Sequence, residues 1–407
     1  MTRQRLLAAA LALGLSACGK SAAPDFAAGT PDAAGLTLET TGGAGDGLTA
    51  DVPAGGAALT VASSGPGALA ATLPTCQDYE FTCNIRRSVK GVNLFVRAAL
   101  EPVEVLVAAG PSASPSDDVR VYGPVALPPA TPVANFRLSV KFVGDETFRW
   151  KLEAQPTSPA NATFQLVMAG QLHRGDLPHR GRGVVGIDLD ALHAVNATAF
   201  TGQGKLLAAF AHVGLQKALV FAAQGFSADG VQTPVSAVFA GWKNAVGQAR
   251  VRLAALSDFD KTTPQDELLL GRAGYWPLLG AGRTAVAVIG GDVPSHSIPG
   301  SFDVKAFLGL ECFGRGLEAD VTYRALWTCG TNTSVDPHVD ECRPVDQWNA
   351  TNGVGVGAGG FPDVGACAPA TDLYDPSAGV DTNSNSTTQE PGAPADPGTP
   401  PSTMPAF

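Results

Sequence analysis

In Phe136-Arg-Leu-Ser-Val-Lys-Phe142 every second residue is apolar, and the residues between are Arg137, Ser139 and Lys141. Successive side chains of a strand point to opposite faces, so such a segment has one buried and one wet face. Gly144-Asp145 supplies a turn and Phe148-Arg-Trp-Lys-Leu-Glu153 repeats the alternation, which predicts a β-hairpin. Further strands are predicted at Thr163–Ala169, Gly183–Leu189, Lys205–His212, Lys217–Ala223, Val235–Trp242, Gln248–Ala255, Thr284–Ile289 and Asp320–Thr328. Gly, Pro and Asn cluster between most of them. Intervals this short leave no room for crossover helices, so neighbouring strands should run antiparallel.

Several later strands are apolar on both sides, as in Leu206-Leu-Ala-Ala-Phe210 and Ala285-Val-Ala-Val-Ile289. A sheet of that kind must be covered on both faces or curl around a core. One helix precedes the strands: Ile85, Val89, Val92, Val96, Ala99, Val103 and Leu106 recur at intervals of three and four, which puts them on one face. Pro102 should kink or end that helix near Glu101, and Gly91 weakens it. The expected fold is mainly β: a large curved antiparallel sheet or partly closed barrel, with one N-terminal amphipathic helix packed against it.

The first residues carry an address. Arg3 and Arg5 make a positive flank, and Leu6 to Leu15 form a ten-residue apolar run. Such a run covers roughly 15 Å as a helix, half of a bilayer core, and reads as a secretory signal rather than a span. Leu15-Ser16-Ala17-Cys18 then resembles the lipobox of bacterial lipoproteins. The resemblance implies cleavage before Cys18, a diacylglyceryl group on its thiol, acylation of the new amine, and residence in the cell envelope. Gly19 is not the Asp that retains many such lipoproteins at the inner membrane, so the outer membrane is the expected address. Two or more acyl chains make an anchor stable, and the membrane would be held through them alone.

The remaining chain divides by composition. From Gly19 to Pro74, 41 of 56 residues are Ala, Gly, Pro, Ser or Thr, too few large apolar groups to offset ordering entropy. Residues 1–17 therefore read as signal peptide, and 18–75 as the lipidated Cys and a disordered tether with a span of about 40 Å. A β-rich domain with its helix occupies 76–330, and a Cys-containing, loop-rich extension 331–370. A disordered acidic tail fills 371–407; from Pro344 onward there are seven acidic residues and no Lys or Arg. A formal charge of −10 gives no footprint for nucleic acid.

Six cysteines remain once Cys18 is set aside: Cys76, Cys83, Cys312, Cys329, Cys342 and Cys367. An even number in an exported chain reads as disulfides. Cys76 and Cys83 stand apart from the rest and should pair locally; the other four should pair among themselves. No C-x-x-C occurs, which disfavours zinc.

The sequence offers no catalytic motif: there is no H-E-x-x-H and no G-x-S-x-G. Gly355-Val-Gly-Ala-Gly-Gly360 fits G-x-G-x-x-G, but it follows Asn352-Gly353 within the acidic segment, where phosphate would be repelled. Asp188 and Asp190 could hold Ca²⁺ from one strand face, but they read better as a helix cap over Ala191–Ala194. Asp336, His338 and Asp340, with Glu341, form the densest set of metal-ligand types, and a solvated loop is the preferred reading. His173, Arg174, Asp176 and His179 crowd a predicted hairpin connection.

No cofactor and no catalytic residue are expected. The functional expectation is a non-enzymatic, membrane-anchored envelope lipoprotein that binds an envelope protein or glycan or has a structural role. The alternative is a carrier of lipid or another apolar ligand in a cavity of the curved sheet. The layout is similar to that of envelope lipoproteins of high-GC Gram-negative bacteria that have no assigned function.

Overall fold

A computed structural model describes residues 24–38, 80–127, 132–159, 161–175, 180–227, 234–258, 266–276, 281–290, 302–314, 321–332 and 340–344. Among the described residues fifteen strands form one antiparallel sheet in which every strand pairs with its sequence neighbours. They are β1 (Pro111–Ser116), β2 (Val119–Leu127), β3 (Ala134–Gly144), β4 (Thr147–Pro156), β5 (Gln165–Arg174), β6 (Gly181–Asp188), β7 (Gln203–Val213) and β8 (Gln216–Ser227). The second half comprises β9 (Val235–Lys243), β10 (Ala249–Ser257), β11 (Glu267–Trp276), β12 (Ala281–Ile289), β13 (Phe302–Phe313), β14 (Val321–Asn332) and β15 (Asp340–Pro344). The sheet is open, with β1 and β15 at its two ends. Of the two expected forms, the curved sheet is the one adopted.

The hairpin of β3 and β4 is the one the alternation predicts. Phe142 faces Phe148 across the ladder, and the two loop residues Asp145 and Glu146 have φ of 48° and 50°. Positive φ at both central positions gives the turn the twist its strands need. Phe136, Leu138 and Val140 are buried.

Three helices are described: α1 (Ala33–Leu36), α2 (Phe81–Ala109) and α3 (Leu189–Val195). The long helix is α2. Ile85, Val89, Val96, Val103 and Leu106 are buried, and Val92 and Ala99 pack against the same core, as their spacing predicts. It is not the first ordered element, because α1 precedes it. Nor does it end near Glu101: it continues through Pro102 to Ala109. Proline removes one backbone bond, and burial of Val103 and Leu106 in the last turns offsets that loss.

Curvature follows from what α2 touches. Its contacts include β2 and β3 as well as β11, β12 and β13. Laid flat, β2 and β13 would stand about 53 Å apart, whereas a helix of 29 residues is about 43 Å long. The sheet therefore bends around the helix, which lies on its inner face. Phe95, near the middle of α2, meets Phe221 and Phe226 of β8 with ring centroids 6.0 Å away in each case. Glycines on the inner face let the filling come close. A Cβ on Gly309 of β13 would lie 2.1 Å from the Phe81 ring, and one on Gly241 of β9 would lie 2.0 Å from Leu38.

Leu38 belongs to the stretch whose composition predicts a disordered tether, and here the expectation fails. Residues 24–38 lie on the inner face beside α2, with Phe26, Leu36 and Leu38 buried in the main core. These three are large apolar groups in a small-residue sequence, and they are spaced to reach successive parts of the groove. Asp32 caps α1, its Oδ1 accepting from Gly35 N at 2.7 Å.

The outer face differs along the sheet. A second core of Ala306, Leu308, Leu310, Cys312 and Cys329 lies behind β13 and β14, with Ala285, Ala287 and Ile289 of β12 against it. This part has two buried faces, as its sequence requires. In β7, by contrast, Leu206, Ala208 and Phe210 are buried while Ala209 is exposed, so the run Leu206–Phe210 is covered on one face. The boundary expected at residue 330 also moves. β14 continues to Asn332 and β15 adds Asp340–Pro344, an edge strand whose backbone ladder does not need an apolar pattern.

Candidate functional site

Several residues singled out by the sequence have structural roles. Asp188 is the N-cap of α3, its Oδ1 accepting from Ala191 N at 2.9 Å, while Asp190 accepts from Gly204 N at 2.8 Å. The two carboxylates thus serve different backbone donors instead of a common ion. His173 and Arg174 end β5, and His173 Nδ1 lies 3.1 Å from Thr147 Oγ1. Asp176, His179, Asp336, His338 and the 355–360 glycine run lie outside the described residues, as do Cys18, Cys76 and Cys367. Asp340 falls in β15, opposite Thr331. Among the described residues no group of three His, Cys, Asp or Glu side chains could hold a metal ion.

The densest buried polar network has no counterpart among the sequence expectations. Thr284, Glu311 and Arg324 stand directly opposite one another on β12, β13 and β14. Their side chains therefore share the inner face. Glu311 Oε2 accepts the backbone N–H of Thr82 at 2.6 Å, and its other oxygen accepts from Arg324 Nε at 2.6 Å. Thr82 Oγ1 lies 3.0 Å from Thr284 Oγ1. The N-cap residue Glu80 makes no side-chain cap, so a carboxylate from the far end of the chain takes that place. The network is buried: Glu311 and Thr284 are 1% and 0% exposed and Arg324 is 9% exposed. Its chemistry is that of a structural clamp.

A second arrangement lies at the sheet's rim. In a meander, all connections that follow odd-numbered strands lie at the same edge of the sheet. At this rim the inner-face register runs from Arg174 through Gly181 to His212, Lys217 and Lys243 on β5 to β9. Like charges directly opposite repel, so Lys217 facing Lys243, which is buried, marks a local basic cluster in a chain of net −10, with Arg174 at its edge 3.8 Å from Glu146. The sequence carries a signal for it: no acidic residue occurs between Lys205 and Asp229, nor between Asp229 and Asp258.

Residues 24–38 begin at this same rim. The Asp25 carboxylate lies 4.0 Å from Arg174, and the Arg120 guanidinium sits 4.5 Å from the Phe26 ring centroid. Phe26 also meets Phe148 edge-on at 5.9 Å. The strap then follows α2, with Ala33 N donating to Glu104 Oε1 at 3.1 Å and Leu38 N to Asn93 Oδ1 at 3.2 Å.

No family model, curated protein or solved structure matches the chain.

Proposed function

We propose that this chain is a lipid-anchored protein of the bacterial cell envelope, carried to the outer membrane, with a non-enzymatic binding or structural role at the envelope surface. The observation that carries the reading is the four-residue box ending at Cys18, behind a positive flank and an apolar run too short to span. The strap adds support. Pro24 follows Cys18 closely in the chain, a reach of at most about 21 Å, so acyl chains on Cys18 would hold the β body close to the lipid.

The oxidised state belongs to the same proposal, since disulfides persist in exported proteins. Disulfides at Cys83, Cys312 and Cys329 are part of that proposal. The alternative, a carrier of an apolar ligand, needs room on the inner face. Phe81, Ile85, Phe95 and Leu38 already fill that face, which favours the anchored, solid-cored protein.

The test is metabolic labelling of expressing cells with palmitate, alongside fractionation of a Cys18→Ser variant. Label in the wild-type polypeptide and its loss in the variant, which then leaves the membrane fraction at high salt, is the expected result. An unlabelled wild-type protein would overturn the anchor.

A further inference from the structure

We propose that the rim where β5 to β10 turn is a membrane-contacting surface, with apolar tips that enter the interface of an anionic phospholipid bilayer and a basic collar that meets its headgroups. This rests on the anchored reading and deepens it by naming the face that the anchor presents to the lipid.

The tips are the first observation. Val213 and Leu215 flank Gly214 in the β7–β8 turn and are 67% and 66% exposed; Val246, in the β9–β10 turn, is 53% exposed. Tight turns favour small and polar residues, so two successive tips ending in aliphatic side chains need a reason. Both are held outward. Gly214, at φ 60°, takes the first position of a two-residue turn and leaves Leu215 at its apex. Asn244 Oδ1 accepts from the backbone N–H of both Val246 and Gln248, at 3.1 and 3.0 Å, which fixes the second tip.

Charge is the second observation. Behind these tips stand Arg174, His212 and Lys217 on the inner register and Arg182 and Arg250 on the outer one. Arg174 lies 3.8 Å from Glu146 and 4.0 Å from Asp25, while Lys243 is buried and takes no part in the collar. Among the described residues of the turns from β5 to β10 at this rim there is no carboxylate; the sequence places one, Asp176, outside them. The opposite rim has the other sign, with Asp188, Asp190, Asp258 and Asp266. A molecule of net −10 thus carries a local basic patch along β5 to β10, set beside the carboxylates Asp117, Asp118, Asp145 and Glu146 of the β1–β2 and β3–β4 turns at the same rim.

The third observation is where the chain comes from. Asp25 and Phe26 meet Arg174 and Arg120 at this rim, so the segment leading back to Cys18 leaves from the end that carries the apolar tips. The described start of the strap, the tips and the collar share one rim. Apolar groups that insert while cations attract anionic lipid are the two components of interfacial binding.

The experiment uses Cys18→Ser protein freed of residues 1–17, which carries neither acyl chains nor the apolar signal run, in flotation with vesicles of phosphatidylcholine alone or mixed with phosphatidylglycerol. It should float with the phosphatidylglycerol vesicles, more weakly with phosphatidylcholine, and less as salt rises. Arg182→Gln should weaken binding about fivefold, the share of one interfacial cation. Val213→Ser with Leu215→Ser and Val246→Ser should weaken it by more than about tenfold at unchanged near-ultraviolet circular dichroism. A Leu215→Trp variant should be quenched by brominated lipid beyond the parent protein. Failure of Cys18→Ser protein to float with phosphatidylglycerol vesicles, or equal flotation of the triple variant, would overturn the proposal. Palmitate labelling reads the anchor independently, so either idea can fail without the other.

Discussion

Glu311 accepts the backbone N–H of Thr82, 229 positions earlier in the chain, at 2.6 Å. The same carboxylate holds Arg324, so one buried group ties the start of α2 to β13 and β14. Breaking a buried pair by removing one partner leaves an uncompensated charge and costs about 3–5 kcal/mol. Glu311→Ala should therefore lower the urea-unfolding free energy by that amount. Glu311→Gln with Arg324→Met removes both charges and should recover much of it. A loss below about 1 kcal/mol in Glu311→Ala would show that the clamp is not structural.

The strap gives a second prediction. Leu38 rests on Gly241 and its amide donates to Asn93, which is fully buried. A valine at Gly241 fills the place of the Leu38 methyl, while the inner face below stays packed on α2. Because residues 24–38 can undock as a unit, the cost should stop at their docking energy, about 1–3 kcal/mol, below that of a comparable change inside the sheet. In Gly241→Val, hydrogen exchange at Gly35 and Leu38 should accelerate while β3 and β4 keep their protection. Uniform acceleration across the sheet would contradict a separable strap.

These two contacts also mark where sequence reasoning stops. The hairpin at Phe142 and Phe148 is legible because alternation and a turn coincide, and α2 because seven apolar residues share one spacing. Asp188 is legible as a cap for the same local reason. Glu311 is not, since its partner is 229 residues away and a Glu in a strand reads as a wet position. β1 escapes because Pro-Ser-Ala-Ser-Pro-Ser is turn composition, tolerated at a fully exposed edge. β11 escapes because Gly271 and Gly274 interrupt its pattern, and Gly271 is there for close approach of Ile85. The strap is lost in averaging: three large apolar residues decide its docking, while the 41 small ones of Gly19–Pro74 decide the composition of the stretch that contains it. The basic rim needs the meander's parity before turns far apart in sequence become neighbours.

Tyr122 supplies a pH dependence. It is buried on β2, and burial raises its phenol above the ordinary value, with Asp25 acting in the same direction and Arg120 against it. A raised folded value means that the unfolded chain loses this proton first. The stabilisation is complete below the unfolded tyrosine value of about 10 and is lost as pH rises through the folded one. Wild-type stability should thus fall above about pH 10 more steeply than that of Tyr122→Phe. Urea midpoints taken at stepped alkaline pH check this, and parallel curves would remove Tyr122 as the cause.

Cys329 and Cys342 are directly opposite in the pairing of β14 and β15. Opposed residues of an antiparallel pair have Cα atoms about 4.5–5.5 Å apart, inside the range a disulfide bridges. The bond would close a short loop around residues 333–339 and fasten the final strand to the sheet, which otherwise depends on a five-residue ladder. Peptide mapping under non-reducing conditions should recover the two cysteines in one linked species. Because the loop is short, Cys342→Ser should cost about 2–3 kcal/mol by the chain-entropy account. Its effect should be local, with faster exchange at Cys329 and Thr331 and an unchanged hairpin at β3 and β4. A linked species joining Cys329 to Cys312 instead would mean that β15 is held by backbone pairing alone.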